Sequence, residues 1–191
     1  MRPTRALVTT ALSVGTLALS AAIAPSAFAS TDDHHSAKWH HGTTTVVLNP
    51  ELVPVLVDTL KVAPVRPGKL SAPGGVAQVS FPITEVERDE IEHSGGLRFT
   101  PIGGGSLKIT EFEVELDDGV LAADETKLNG KNLGEVDIFK LGKAKPINGK
   151  VPSCDGVQAG LALTRKAAGA LGAPDFAGAF VGDACVVPKK H

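Results

Sequence analysis

The sequence predicts a mainly β protein, either an antiparallel β-sandwich or a partly open barrel, with two short helices. Short segments of alternating apolar and polar residues recur along the chain, and turn signals separate them about every 8 to 12 residues. The 191 residues include 21 Gly and 13 Pro. Val, Thr and Leu are also abundant, and this composition is typical of β-rich chains with many turns.

The first 29 residues have the pattern of a secretory signal peptide. Arg2 and Arg5 precede an apolar run over residues 6–24, and small residues follow up to Ala29. A basic start, an apolar centre and an Ala-x-Ala end are what signal peptidase recognises. A membrane-spanning segment is the alternative, and the cleavage motif directly after the apolar run argues against it. We therefore expect cleavage between Ala29 and Ser30, and a secreted protein with no membrane span after removal of residues 1–29.

The rest of the chain divides into two parts. Residues 30–42 are polar, rich in His and without apolar periodicity, so we expect a flexible N-terminal segment. Residues 43–191 are expected to form a single β-rich domain, long enough to bury a core. The formal net charge of the whole chain is −2. Such a mildly acidic chain has no electrostatic reason to bind nucleic acid or an anionic membrane.

The first elements of this domain are a strand, a helix signal and a long connection. Residues 43–48 are mostly β-branched and predict a strand. The sequence Asn-Pro-Glu at residues 49–51 combines an N-cap, a proline at the first helical position and an acid in the first turn. Pro54 lacks a backbone donor just past that turn, so the helix should be short or begin there. Proline and glycine dominate residues 61–75, which we expect to be an extended connection.

Alternation predicts most of the remaining strands. Residues 77–83 and 91–99 each place apolar side chains on one face. In residues 107–116 the apolar residues change from odd-numbered to even-numbered positions near Thr110–Glu111. This change predicts a β-bulge. Further strands are expected at residues 120–125, 136–139, 157–163 and 180–187, with turns at residues 117–119, 129–130 and 148–149.

A second helix and a disulfide are predicted near the C-terminus. Thr164 is a suitable N-cap for a helix at Arg165–Leu171, which Gly172 would terminate. An even number of cysteines in an exported chain indicates that Cys154 and Cys185 form a disulfide. The loop that it closes, about 30 residues, corresponds to roughly 3 kcal/mol on the chain-entropy model. Two free thiols in a reactive site are the alternative, which no Cys-x-x-Cys spacing supports.

A motif lies in the middle of the chain, with Phe-Pro-Ile at residues 81–83 and His-Ser-Gly-Gly-Leu-Arg-Phe at residues 93–99. With this FPI…HSGGL.F core the chain resembles largely uncharacterised secreted actinobacterial proteins. More distantly it is similar to the HtaA-type domain of haem-uptake proteins, over about residues 44–187. This resemblance implies a shared fold and haem as a ligand. The family is associated with an axial tyrosine supported by a histidine. The chain contains no Tyr, so that iron ligand has no counterpart here.

His93 is the candidate cofactor-binding residue. Strand alternation places it on the same face as Ile91 and Leu97. In an apolar setting its imidazole would be neutral and able to ligate haem iron or another metal. The alternative, which we favour, is a buried histidine whose ring nitrogens bond to the backbone or to Ser94.

Four histidines around Trp39 form a candidate metal site in the N-terminal segment. Imidazoles bind Zn²⁺, Cu²⁺ and Ni²⁺, and Asp32 and Asp33 add carboxylate oxygens. A flexible segment loses conformational entropy on binding, so the affinity would be modest. A solvated tail that binds no metal is the alternative. The histidines concerned are His34, His35, His40 and His41.

Neither the acidic residues nor the known catalytic motifs indicate an active site. Glu111, Glu113 and Glu115 alternate along one predicted strand, and we expect them on a solvated face. The chain has no nucleophile elbow, no HExxH motif and no phosphate-binding glycine loop. His93 and Ser94 are no catalytic pair, because neighbours on a strand point to opposite faces. We therefore expect no catalytic residues and no enzymatic activity.

These observations predict a secreted, non-enzymatic, β-rich binding or structural module of the extracellular space or cell envelope. Its partner would be an extracellular ligand or an envelope component that the sequence does not identify. No cofactor is required in this interpretation. The first alternative is a haem- or metal-binding module of an HtaA-like uptake system, with haem or a divalent transition metal as the cofactor. A secreted hydrolase is the second alternative.

Overall fold

The computed structural model describes residues 41–189. The predicted signal peptide and residues 30–40 of the His-rich segment lie outside the described residues. Within residues 41–189, no helix is both long enough and apolar enough to cross a membrane.

In the part of the chain that the structure describes, ten strands form one sheet, and all neighbouring strands are antiparallel. Each predicted strand has a counterpart, and two short strands lie in the segment that was expected to be only a connection. The strands are β1 (Gly42–Leu48), β2 (Ala63–Val65), β3 (Lys69–Ser71), β4 (Gln78–Val86), β5 (Glu90–Phe99), β6 (Leu107–Glu115), β7 (Val120–Leu128), β8 (Lys131–Gly142), β9 (Val157–Leu163) and β10 (Phe180–Pro188).

Eight of these strands close into a barrel. They follow the order β5-β6-β7-β8-β9-β10-β1-β4, and β4 also pairs with β5. Strand β4 closes the barrel because its residues 78–82 pair with β1 while residues 83–86 pair with β5. The short strands β2 and β3 pair with β5 and β4, respectively. The prediction of a mainly β, antiparallel fold is thus confirmed, and the structure specifies it as a closed barrel with two extra strands rather than a sandwich or a partly open barrel. Alternation along a segment reports which face is buried, but not which distant strand pairs with its edge.

The two predicted short helices are present. The first follows β1 and is a π-helical turn at Val55–Thr59, immediately after Pro54. The second, α1 (Arg165–Ala170), begins as its N-cap predicts, because the Thr164 hydroxyl accepts a hydrogen bond from the Ala167 backbone N–H at 3.1 Å. Two short 3₁₀ turns lie at Pro73–Gly75 and Pro174–Phe176.

The predicted irregularity in β6 occurs where the parity changes. Glu111 has a φ of 58°. The buried apolar residues of β6 occupy odd-numbered positions before Glu111 and even-numbered positions after it. The pairing with β5 shifts by one residue opposite this point, between His93 and Gly96. Gly95 lies in this bulge with a φ of 94°, and a side chain there would collide with the backbone of Gly68. The bulge keeps the apolar residues of both strands inside the barrel.

The disulfide between Cys154 and Cys185 is confirmed, with a Cα–Cα distance of 5.6 Å. It attaches the loop between β8 and β9 to β10, in the part of the barrel wall where these strands are neighbours. One apolar core lies inside the barrel and continues to α1, where Ala167 and Ala168 are buried.

Candidate functional site

A cavity of about 100 Å³ lies among the core side chains inside the barrel. Its wall is apolar almost throughout, and all eight strands of the barrel contribute to it. Three of the lining residues are polar, namely Thr44, His93 and Thr126, and no Lys, Arg, Asp or Glu lines it. In a cavity of this kind the few polar groups are the ones that can orient a ligand.

His93 is held inside the barrel by hydrogen bonds at both ring nitrogens. It lies on β5, between Ile83 of β4 and Phe112 of β6, and its residue is 4% exposed. Its Nδ1 lies 3.1 Å from the carbonyl oxygen of Phe112, and its Nε2 lies 2.6 Å from the Thr44 hydroxyl oxygen. The ring partners are therefore a backbone carbonyl and Thr44 rather than Ser94.

These partners define the tautomer of the neutral imidazole. A carbonyl oxygen can only accept a hydrogen bond, so Nδ1 carries the proton and donates it to Phe112. Nε2 is then unprotonated and accepts a hydrogen bond from the Thr44 hydroxyl. Burial lowers the pKa of His93, and its hydrogen bonds to the backbone at Phe112 and Ile91 oppose that shift. The interior therefore contains a neutral histidine with a lone pair at Nε2.

Thr126 is the third polar group of the cavity, and its environment differs. It lies on β7, where it pairs with Ile109 of β6, and the residue is 1% exposed. Its hydroxyl has no hydrogen-bond partner within residues 41–189. The alternation of β7 is interrupted by a register shift between Ala123 and Thr126. That shift, which the sequence did not reveal, turns the threonine towards the core.

The turn after β1 and the segment after β9 contribute both buried and partly buried residues to the cavity wall. The buried ones are Leu60, Ala167, Leu171 and Ala173. The partly buried ones include Leu52, Val55, Leu56, Ala170 and Phe176. Part of the wall therefore lies close to solvent along these two segments, whereas His93 is buried.

The acidic residues of β5 and β6 form a charged patch on the outside of the barrel. Glu113 of β6 pairs with Glu92 of β5, and Glu115 pairs with Glu90. Partial burial raises the pKa of Glu113 to about 7, and the charges of Asp124 and the neighbouring glutamates add to this rise. Burial and like charges also raise the pKa values of Glu92 and Glu115. Glu111 is exposed in the bulge and does not share this pairing.

Of the four predicted metal ligands, the structure describes only His41, which is exposed and directly precedes β1. His34, His35 and His40 lie outside the described residues, so this site stays a prediction. Within residues 41–189, no group of three or more His, Cys, Asp or Glu side chains could hold a metal ion.

One buried carboxylate, that of Asp183, was not among the predicted site residues. Asp183 of β10 is 1% exposed, and both of its carboxylate oxygens accept hydrogen bonds from the Lys145 backbone N–H at 3.1 Å. Burial raises the pKa of Asp183, and the contact with Lys145 opposes the rise. This contact attaches the loop after β8 to the barrel wall. A charged residue in the otherwise apolar segment 180–187 was the available signal.

No protein-family model matches the chain, and no curated protein matches it by sequence. Among solved structures, the haem-binding protein HtaB from Corynebacterium glutamicum is similar over 79% of this chain and 93% of its own, with a TM-score of 0.54 and 11% sequence identity. The C-terminal domain of HtaA from the same organism is similar over 80% of this chain and 99% of its own, with a TM-score of 0.49 and 13% identity. The likeness to HtaB shows a shared fold, as the resemblance to HtaA-type domains implied.

Proposed function

We propose that this protein is a secreted, non-catalytic binding module whose ligand is haem. The observation that carries the proposal is His93, a neutral imidazole with an unprotonated Nε2, inside a barrel of the HtaB fold. The disulfide between Cys154 and Cys185 supports an extracellular location, because disulfides persist in oxidising compartments. This proposal adopts the first alternative of the sequence analysis in place of an unspecified binding or structural role.

The hydrogen bonding of His93 fits an iron ligand. Histidines that ligate metals commonly donate their other ring N–H to a carboxylate or a backbone carbonyl, which fixes the tautomer and the ring orientation. His93 makes this bond from Nδ1 to the Phe112 carbonyl. Its lowered pKa keeps Nε2 unprotonated at neutral pH. When bound, haem would supply a redox-active iron centre with a coordination position for this nitrogen.

Two features of the structure limit how haem could be held. A cavity of about 100 Å³ is smaller than the roughly 300 to 1,000 Å³ of pockets for drug-sized ligands, so it does not enclose a porphyrin. Nε2 of His93 also already accepts a hydrogen bond from the Thr44 hydroxyl. Iron ligation by His93 would therefore replace the Thr44 hydrogen bond and require the adjacent barrel wall to move. The chain contains no Tyr, so the proposed iron ligand is a histidine, and His93 is the one that lines the cavity.

Haem titration of the purified protein, followed by the Soret band, tests this proposal. We expect saturable binding in the unchanged protein and a loss of at least about tenfold in affinity in His93→Ala. Thr44→Val should strengthen binding severalfold, because it removes the hydrogen bond that competes with the iron for Nε2. A protein that does not bind haem would refute the proposed function.

A second set of variants separates His93 from the predicted tail histidines. Replacing His34, His35, His40 and His41 together by Ala should leave the Soret shift unchanged if His93 is the ligand. Loss of haem binding in this fourfold variant, with normal binding in His93→Ala, would move the site to the N-terminal segment. Circular dichroism of each variant checks that the barrel has folded.

A further inference from the structure

We propose that the cavity beside Thr126 is a binding site for a small, neutral, mainly aliphatic molecule with one hydrogen-bond-accepting oxygen. This ligand differs from haem, because it would lie within the cavity that His93 also lines and needs no iron ligand. The inference does not depend on whether the protein binds haem.

The volume of the cavity sets the size of the molecule. An engineered apolar cavity of about 150 Å³ is known to bind benzene. The cavity in this barrel has a volume of about 100 Å³. It therefore suits a molecule of roughly four to six non-hydrogen atoms, with some adjustment of the surrounding side chains. Fatty acids with long chains and flat polycyclic molecules are too large to be enclosed there.

The cavity wall has no charged side chain, and this excludes ionised ligands. No Lys, Arg, Asp or Glu lines the cavity, and burial lowers the pKa of His93 so that it is neutral. An ion transferred into such a wall would lose its hydration without gaining a partner, which is strongly unfavourable. The ligand is therefore neutral, as in a ketone, an ester or an ether.

Thr126 provides the polar contact. Thr126 lines the cavity, and its buried hydroxyl has no partner within residues 41–189, whereas the other two polar residues of the wall are bonded to each other. A buried hydroxyl without a partner is unfavourable. A ligand oxygen that accepts the Thr126 O–H, once rotation of the side chain turns the hydroxyl into the cavity, would remove this penalty. The cavity thus combines an apolar wall with one unused donor, the usual composition of a small-molecule site.

The test uses two molecules of the same shape that differ in one oxygen atom, cyclopentanone and methylenecyclopentane. The purified protein carries ¹³C-labelled methyl groups, and each probe is titrated while methyl shifts are recorded. We expect saturable shifts of Ile109, Leu121 and Val136, which line the cavity. Methyl groups of the exposed residues Val151 and Val157 should not shift. Cyclopentanone should bind about tenfold more tightly than methylenecyclopentane.

Two valine variants identify the donor. Thr126→Val keeps the side-chain shape, removes the hydroxyl and should abolish the tenfold preference for cyclopentanone. Thr110→Val is the matched control, because Thr110 is also a buried strand threonine but its hydroxyl donates to Glu125 and it does not line the cavity. This control should keep the preference. A thermal melt of each variant confirms that it is folded.

Three results would overturn the inference. The first is that neither probe shifts the lining methyl groups at the highest soluble concentration. The second is equal affinity of Thr126→Val and the unchanged protein for cyclopentanone. The third is a long-lived water that shows nuclear Overhauser contacts with the Thr126 methyl group and persists at saturating cyclopentanone, since the hydroxyl would then be satisfied by water alone.

Discussion

Two threonines inside the same barrel have opposite roles. Thr44 of β1 and Thr126 of β7 both line the cavity and are 2% and 1% exposed, respectively. The Thr44 hydroxyl is 2.6 Å from Nε2 of His93, whereas the Thr126 hydroxyl has no partner within residues 41–189. Burial of a polar group is therefore no measure of its contribution to stability, because the contribution depends on whether its hydrogen bonds are made.

The largest effect should come from breaking the satisfied pair. Thr44→Val leaves Nε2 of His93 buried without a donor, which we expect to lower the free energy of unfolding by about 2 kcal/mol. Urea unfolding at neutral pH measures this change. Thr43→Val is the matched control, because Thr43 is the preceding residue on β1 and is exposed; it should change stability by less than about 0.5 kcal/mol. Equal effects of the two variants would show that the bond to His93 contributes nothing.

For Thr126 we expect a smaller change in the free energy of unfolding, and of the opposite sign. Thr126→Val replaces a buried hydroxyl without a partner by a methyl group of similar size. The free energy of unfolding without ligand should therefore rise by about 1 kcal/mol. The same urea experiment measures it. Destabilisation by more than about 1 kcal/mol would mean that the Thr126 hydroxyl has a partner in solution, and the contrast with Thr44 would then disappear.

The smallest effect depends on pH and extends the comparison from the interior to the outer surface. Glu113 is only partly buried, so solvent screens its charge and reduces the change in stability that its pKa shift would otherwise imply. The folded pKa of Glu113 is raised to about 7, so its contribution to stability is fully present below its unfolded pKa. That contribution is lost as the pH rises towards 7. The pKa of His93 is lowered instead, so its contribution is lost as the pH falls below its unfolded value.

Glu113→Gln should therefore flatten the decline in stability between about pH 4.5 and pH 7, the range that separates the two pKa values. Unfolding midpoints measured across this range provide the test, with Glu111→Gln as the control because Glu111 is exposed in the bulge and pairs with neither β5 nor β7. A pH profile that is the same in both variants would show that the acidic patch does not destabilise the folded barrel.

Much of the candidate site could be predicted from local pattern. Alternation over residues 91–99 placed His93 on an apolar face, and the structure buries it. Thr44 could have been found by the same rule, since it shares a face of β1 with Val46 and Leu48, which are buried. Thr126 could not, because a register shift between it and Ala123 changes the alternation of β7. Such shifts depend on the neighbouring strands and leave no signal in a single segment.

The sequence by itself determined the positions of most strands, the capped helix α1, the change of parity at Glu111 and the pairing of two cysteines. Each of these follows from interactions among residues close in the chain or from simple counting. Only the tertiary structure decided that the sheet closes, because one strand, β4, pairs with β1 over its first half and with β5 over its second. Closure brings Thr44 to His93, 49 positions away, and surrounds the Thr126 hydroxyl with apolar side chains. The physical reason is that hydrogen bonding between distant strands depends on how all the apolar faces are buried together, which no local pattern reports.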